Sequence, residues 1–129
     1  MPVVTVGEDD VPGFYARSSG VRSPWRVDDV GGAARLAAAH LGLGLGSGML
    51  VCVPVPEAEA LPGDQARDAV DRAIADAATA GIGGPDLTPW LLARIAELTN
   101  GAAVRANTAL IVNNARVAAG VAGQLGRRS

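Results

Sequence analysis

Lysine is missing altogether: the eleven basic residues of this 129-residue chain are all arginines, which excludes lysine chemistry from it. Thirteen acids leave a formal net charge of −2, with the two signs interspersed. No basic stripe emerges, so no nucleic-acid partner is expected. Cysteine occurs once, at Cys52, which excludes an internal disulfide. Inside the apolar run MLVCV it reads as an inert buried thiol in a reducing compartment. Histidine also occurs once, at His40, with no second His or Cys at ligand spacing. A helix-surface or cap role is expected for it rather than metal ligation. No apolar run reaches the roughly 18 residues of a membrane-spanning helix. The N-terminus, MPVVTVGEDD, lacks the positive n-region of a secretory signal. These absences point to a cytoplasmic protein with no membrane partner. The same N-terminus enters a β-type run at once, as a chain does that begins in the middle of a fold.

What is abundant is small and apolar. Hydrophobic residues make 49% of the chain, largely Ala and Val, while aromatics make 3%. That composition suits tight packing of small side chains between helices and a sheet. The length allows one domain of about 100–200 residues, with a core that needs no disulfides.

Val3 to Val6 is a short β-branched run closed by Gly7, which predicts a buried strand. A loop follows. Its three acids, Glu8, Asp9 and Asp10, lack the spacing of a cation-binding loop and read as solvated. Arg17-Ser18-Ser19-Gly20 can hold an anion, although local sequence favours a plain turn. Asp28 or Asp29 can cap a helix running to about Leu41, with Leu36, Ala37, His40 and Leu41 on one side. The run Gly42 to Gly48 has glycines at every second position and precedes a strand, so it fails the dinucleotide-binding pattern. It is expected to turn tightly into a strand at Met49–Val53, ended by Pro54 and Pro56. Asp64 can cap a helix from Gln65 to Ala80, with Ala66, Ala69, Val70, Ala73, Ile74 and Ala77 buried. Two strands make a poor sheet, and something else is expected to complete the layer.

The stretch from Asp86 to Leu125 reads as two consecutive helices. Thr88 is a good N-cap, and Pro89 then takes the first helical position. Leu87, Trp90, Leu91, Ile95 and Leu98 share one face. Asn100-Gly101 stops the first helix, since both residues tolerate a left-handed cap. The second helix carries Asn107, Ile111, Asn114, Ala118, Val121 and Leu125 along one line, with Asn113 nearer to Leu110 and Val117. A buried amide without partners costs roughly 1–3 kcal/mol. These amides therefore either satisfy loop backbone at the edge of the core or point into a polar pocket. There an amide can both donate to and accept from a sugar hydroxyl, a phosphate or an amine.

Several of these stretches together resemble the pseudouridine-5′-phosphate glycosidase family, also called indigoidine synthase A-like. They are DVPGFYARSSG, RVDD, LGLGSGMLVCVPVPEAEAL, LTPWLLARIAELTNG and ANTALIVNNARVAA, in the family's order and spacing. The resemblance covers nearly the whole chain but only the C-terminal portion of the longer family enzymes, so residues 1–129 are expected to form a single partial domain. It implies the α/β class: the C-terminal part of an α/β/α layered fold, with few strands and about four helices, commonly assembled as a homotrimer. It implies reversible cleavage of the C–C glycosidic bond of pseudouridine 5′-phosphate to uracil and ribose 5-phosphate, with manganese (Mn²⁺).

The family mechanism uses a lysine that forms a Schiff base with the ring-opened sugar, and a glutamate as proton donor. An iminium is the electron sink that breaking a C–C bond requires. The nucleophile, the proton donor and the metal ligands all belong to the N-terminal portion, and Glu8, Glu57, Glu59 and Glu97 do not match the donor. The family's active-site Asn in this region falls on Asn107, followed here by Thr108 where the family usually has Ile. Val53 stands where many members carry Asn. Asn107 is thus the one candidate catalytic residue. The chain alone is expected to be inactive, either as the partner of a missing N-terminal half or as a non-catalytic fragment or assembly module.

Overall fold

The computed structural model describes residues 1–128. Three short strands, β1 (Val3–Val6), β2 (Trp25–Val27) and β3 (Leu50–Cys52), make a parallel sheet in the order β2-β1-β3. Four α-helices follow the strands or lie between them: α1 (Val30–Gly42), α2 (Gly63–Ala80), α3 (Leu87–Leu98) and α4 (Ala102–Arg128). This is the expected α/β architecture with few strands and four helices.

β2 was not legible in the sequence. Its three residues, Trp-Arg-Val, are too few to show an alternation, and it exists because β1 offers it a ladder. Val4 pairs in register with Trp25 and with Val51, so the three share one face of the sheet. The loop from β1 to β2 replaces the usual crossover helix and is held by its own backbone. Val11 N–H donates to Val21 O at 2.8 Å and Ser23 N–H to Asp9 O at 2.9 Å.

α1 packs on the sheet and on α4. Its N-cap is Asp29, whose carboxylate accepts from Gly32 N–H at 2.8 Å. Glycines allow the close approach on both sides. A Cβ on Gly32 would lie 3.0 Å from Val27 Cβ, and one on Gly120 would lie 3.1 Å from Val30 Cγ1. Val4, Ala33, Ala34 and Ala37 fill the space between sheet and helix. A second cluster holds α2, α3 and the start of α4 together: Tyr15, Val55, Leu61, Ala73, Ile95 and Leu110 are among its buried members. Arg94 links α3 to α2, donating to Asp76 at 2.8 Å and to Glu97 of its own helix at 2.9 Å.

Several local expectations are corrected. Thr88 is not the cap of α3: a 3-10 turn at Gly84–Asp86 starts the coil earlier, so α3 begins at Leu87 and Pro89 lies inside its first turn. Asp64 lies in the first turn of α2 rather than capping it, and the cap position is Pro62. Ile74 and Leu41 are exposed, because the neighbouring elements reach only the alanine side of each helix. His40 is buried rather than on the helix surface. Its Nε2 lies 2.9 Å from Ser47 O, tying the end of α1 to the glycine loop.

Asn100-Gly101 does stop α3. Both residues are left-handed, at φ 55° and φ 85°. Thr99 Oγ1 in the same turn accepts from Ala103 N–H at 3.1 Å and donates to Ile95 O at 2.8 Å, so it closes one helix and starts the next. Gly101→Ala is expected to cost about 1–2 kcal/mol, the penalty of a Cβ in that conformation, measured by urea unfolding. Unchanged stability would mean that the turn relaxes without a left-handed residue.

Candidate functional site

The α3–α4 turn fixes the direction of α4, and the small residues of its first turns fix its rotation. Ala103 and Ala106 are buried against the cluster, with Leu110 one turn on. This places the buried face along Ala103, Ala106, Leu110 and Val117, not along the Asn107–Ile111–Asn114–Ala118 line. That line is a flank: Ile111, Asn114 and Ala118 are exposed and Asn107 is half-buried. The reading of two amides on a buried stripe is corrected accordingly. The period was right, but the face that the core selects lies about a quarter-turn away, where Ala103 and Ala106 join the buried cluster.

Among the described residues, no side chain or backbone group hydrogen-bonds the Asn107 amide, so it does not serve loop backbone at the core edge. No buried side-chain polar atom lacks a partner among those residues either, consistent with Asn107 being partly open to solvent. The amide stands in the second turn of α4 with both its donor and acceptor capacity unused. Asn113 lies on the other flank.

That other flank borders a groove of about 590 Å³ between α4 and the segment carrying Pro56 and Glu59. Val104, Arg105, Ala109, Val112, Asn113 and Arg116 line its helical wall. The arginines had drawn no attention in the sequence. Their eleven-residue separation, about three helical turns, marks them as one flank only when the buried face is known.

The charged groups of the loop after β1 are engaged within the fold. Arg17 donates to Val55 O at 2.9 Å and pairs with Glu8, Arg26 pairs with Asp9 at 2.9 Å, and Ser18 Oγ donates to Asp10 at 2.7 Å. The Arg17–Gly20 segment is therefore an internally bonded turn. The hydrogen bond from Arg26, and then its charge, hold the Asp9 carboxyl below the usual carboxylate range. A lowered native pKa stabilises the fold above the unfolded value of about 3.9 and loses that contribution as pH falls through the native one. The Tm difference between wild type and Asp9→Asn is therefore expected to be largest near neutrality and to be lost as pH falls through the lowered Asp9 value. A difference independent of pH would sink this account. Burial pushes the Cys52 thiol up, in keeping with an inert thiol.

Comparison with known proteins places this geometry. The family model described as indigoidine synthase A-like protein matches residues 1–124. The chain belongs to that family. A pseudouridine-5′-phosphate glycosidase of Nocardioides sp. is 44% identical over 122 residues, covering 95% of this chain and 40% of the relative. Another, of Rhodospirillum centenum, is 48% identical over 119 residues, covering 92% and 37%. Among solved structures, a prealnumycin C-glycosynthase in complex with ribulose 5-phosphate superposes with a TM-score of 0.83 at 29% identity, over 97% of this chain and 41% of that one. An indigoidine synthase A-like protein of Thermotoga maritima gives 0.73 at 25% identity, over 100% and 41%.

This family member thus spans about 40% of the length of the curated relatives it matches, consistent with a C-terminal portion. Among its described residues no three His, Cys, Asp or Glu side chains gather where a metal can sit. Of the three clustered acids, Glu8 and Asp9 are taken by arginines and Asp10 by a serine. The residues present do not fit a Mn²⁺ site. No helix among the described residues is long and apolar enough to cross a membrane.

Proposed function

We propose that this chain is the C-terminal portion of a cytoplasmic pseudouridine-5′-phosphate glycosidase, working only together with an N-terminal portion and assembled as the family trimer. The supporting observation is the match over residues 1–124 to a family whose glycosidases are about two and a half times as long, from the 40% coverage. The reaction is cleavage of the C–C glycosidic bond of pseudouridine 5′-phosphate to uracil and ribose 5-phosphate. It needs an amine to form the iminium, and this chain holds no lysine, so the amine comes from the other portion.

What the chain contributes is position. Asn107, half-buried on a rigid helix with its amide unengaged, is the group assigned to hold a sugar hydroxyl or the phosphate of the substrate. An amide suits this role because it donates and accepts at once and carries no charge to be desolvated.

The experiment is uracil release from pseudouridine 5′-phosphate with Mn²⁺, beside a full-length family enzyme. The chain alone is expected to release none, and adding the N-terminal portion of the Nocardioides relative is expected to restore release. Release by the purified chain alone, above a contamination control, would overturn the reading. A second reading, a non-catalytic assembly module, is favoured by the absence of lysine from the chain. Binding of family chains without any restored turnover would support it.

A further inference from the structure

α4 is apolar on more sides than its contacts use. Its 27 residues extend over about 40 Å. The core takes one face, yet Val104 and Val112 remain 54% and 51% exposed on the groove flank. Apolar side chains gathered in the open on one flank mark a surface for a partner. The groove is concave and mainly apolar, with Arg105 and Arg116 about three turns apart on its wall. Among the described residues neither arginine makes an ion pair, and neither does Glu59 on the facing wall. Thr108 adds no free donor, since its hydroxyl donates to Val104 O at 2.9 Å. The wall therefore offers an apolar strip with a cation towards each end.

We propose that this groove flank of α4 seats the N-terminal portion of the family chain, through an apolar segment bracketed by carboxylates that pair with Arg105 and Arg116. The occupant follows from length and from charge. About 60% of the length of the relatives lies outside the part this chain matches, from the 40% coverage, and that remainder must pack against something. A second copy of this chain fits less well, because two such flanks would bring like-charged arginines together. The inference rests on the two-portion reading above but concerns association, not turnover.

The test is co-expression of the tagged full chain with the N-terminal portion of the Nocardioides relative, read as co-purification and as affinity. Light scattering of the chain alone gives its own oligomeric state. Wild type is expected to recover the partner. Val112→Glu should weaken the complex by about tenfold or more, as a buried charge facing an apolar segment does. Arg105→Glu with Arg116→Glu, two surface changes that leave the core untouched, should weaken it similarly and remove most of its salt dependence. Gln65→Glu, a polar change at an exposed position of α2, should leave it unchanged. The proposal is overturned if wild type recovers no partner, if the flank variants bind like wild type, or if the chain pairs with itself through this flank. A flank-dependent complex that releases no uracil would sink the catalytic reading and leave this one standing.

Discussion

Asn107→Ala is expected to lower kcat of the reconstituted enzyme about 10²–10³-fold, the usual cost of removing one preorganised polar group from a reacting centre. Asn113→Ala should change it far less. The contrast depends on the rotation of α4. Asn107 and Asn113 are six residues apart in sequence, but alanine packing at Ala103 and Ala106 turns them to opposite flanks. The Asn107 amide meets no protein partner among the described residues, so its loss should move stability by no more than about 0.5 kcal/mol. Turnover and stability are thus expected to separate, and measuring both on the same preparation checks this. A loss confined to KM would restrict Asn107 to ground-state binding. Equal losses for the two amides would remove its special status.

Ile95→Ala is expected to destabilise the chain by about 2–5 kcal/mol, read from urea unfolding. Ile95 is 5% exposed and lies on the buried face of α3, in the cluster that also contains Val55, Leu61 and Leu110. Much of the rest of that cluster is alanine, at Ala66, Ala69, Ala73, Ala103 and Ala106. Alanines have no free rotamer with which to enter the vacated space, so the cavity should persist and the cost should fall in the upper half of the range. A domain is commonly stable by only about 5–15 kcal/mol, so this one change should bring unfolding within reach of physiological temperature. Leu92→Ala, at a side chain 43% exposed on the same helix, is the control and should cost much less. A loss below about 1 kcal/mol for Ile95→Ala would mean that α2, α3 and α4 do not share one core.

The largest elements could be read from local chemistry. The β-branched run at Val3–Val6, the cap at Asp29 and the stop at Asn100-Gly101 each depend on groups a few residues apart. The quoted motifs depended on residue identity alone, and they already pointed to the family that the comparisons show. The absence of lysine needed only the sequence, and it excludes a lysine nucleophile within these 129 residues.

Other features were decided by contacts between distant segments. β2 is a strand because β1 pairs with it, and its three residues carry no period of their own. α3 starts before Thr88 because a 3-10 turn feeds into it. His40 is buried because a glycine loop folds back to bring Ser47 O to its ring. On α4 the sequence determined that residues 107, 111, 114 and 118 share a line, since helical spacing is local. Only the tertiary structure decided that this line stays open while Ala103, Ala106 and Leu110 face the core. The reason is steric: the core packs against α4 where side chains are smallest, and periodicity counts apolar residues without knowing which side a neighbour can reach.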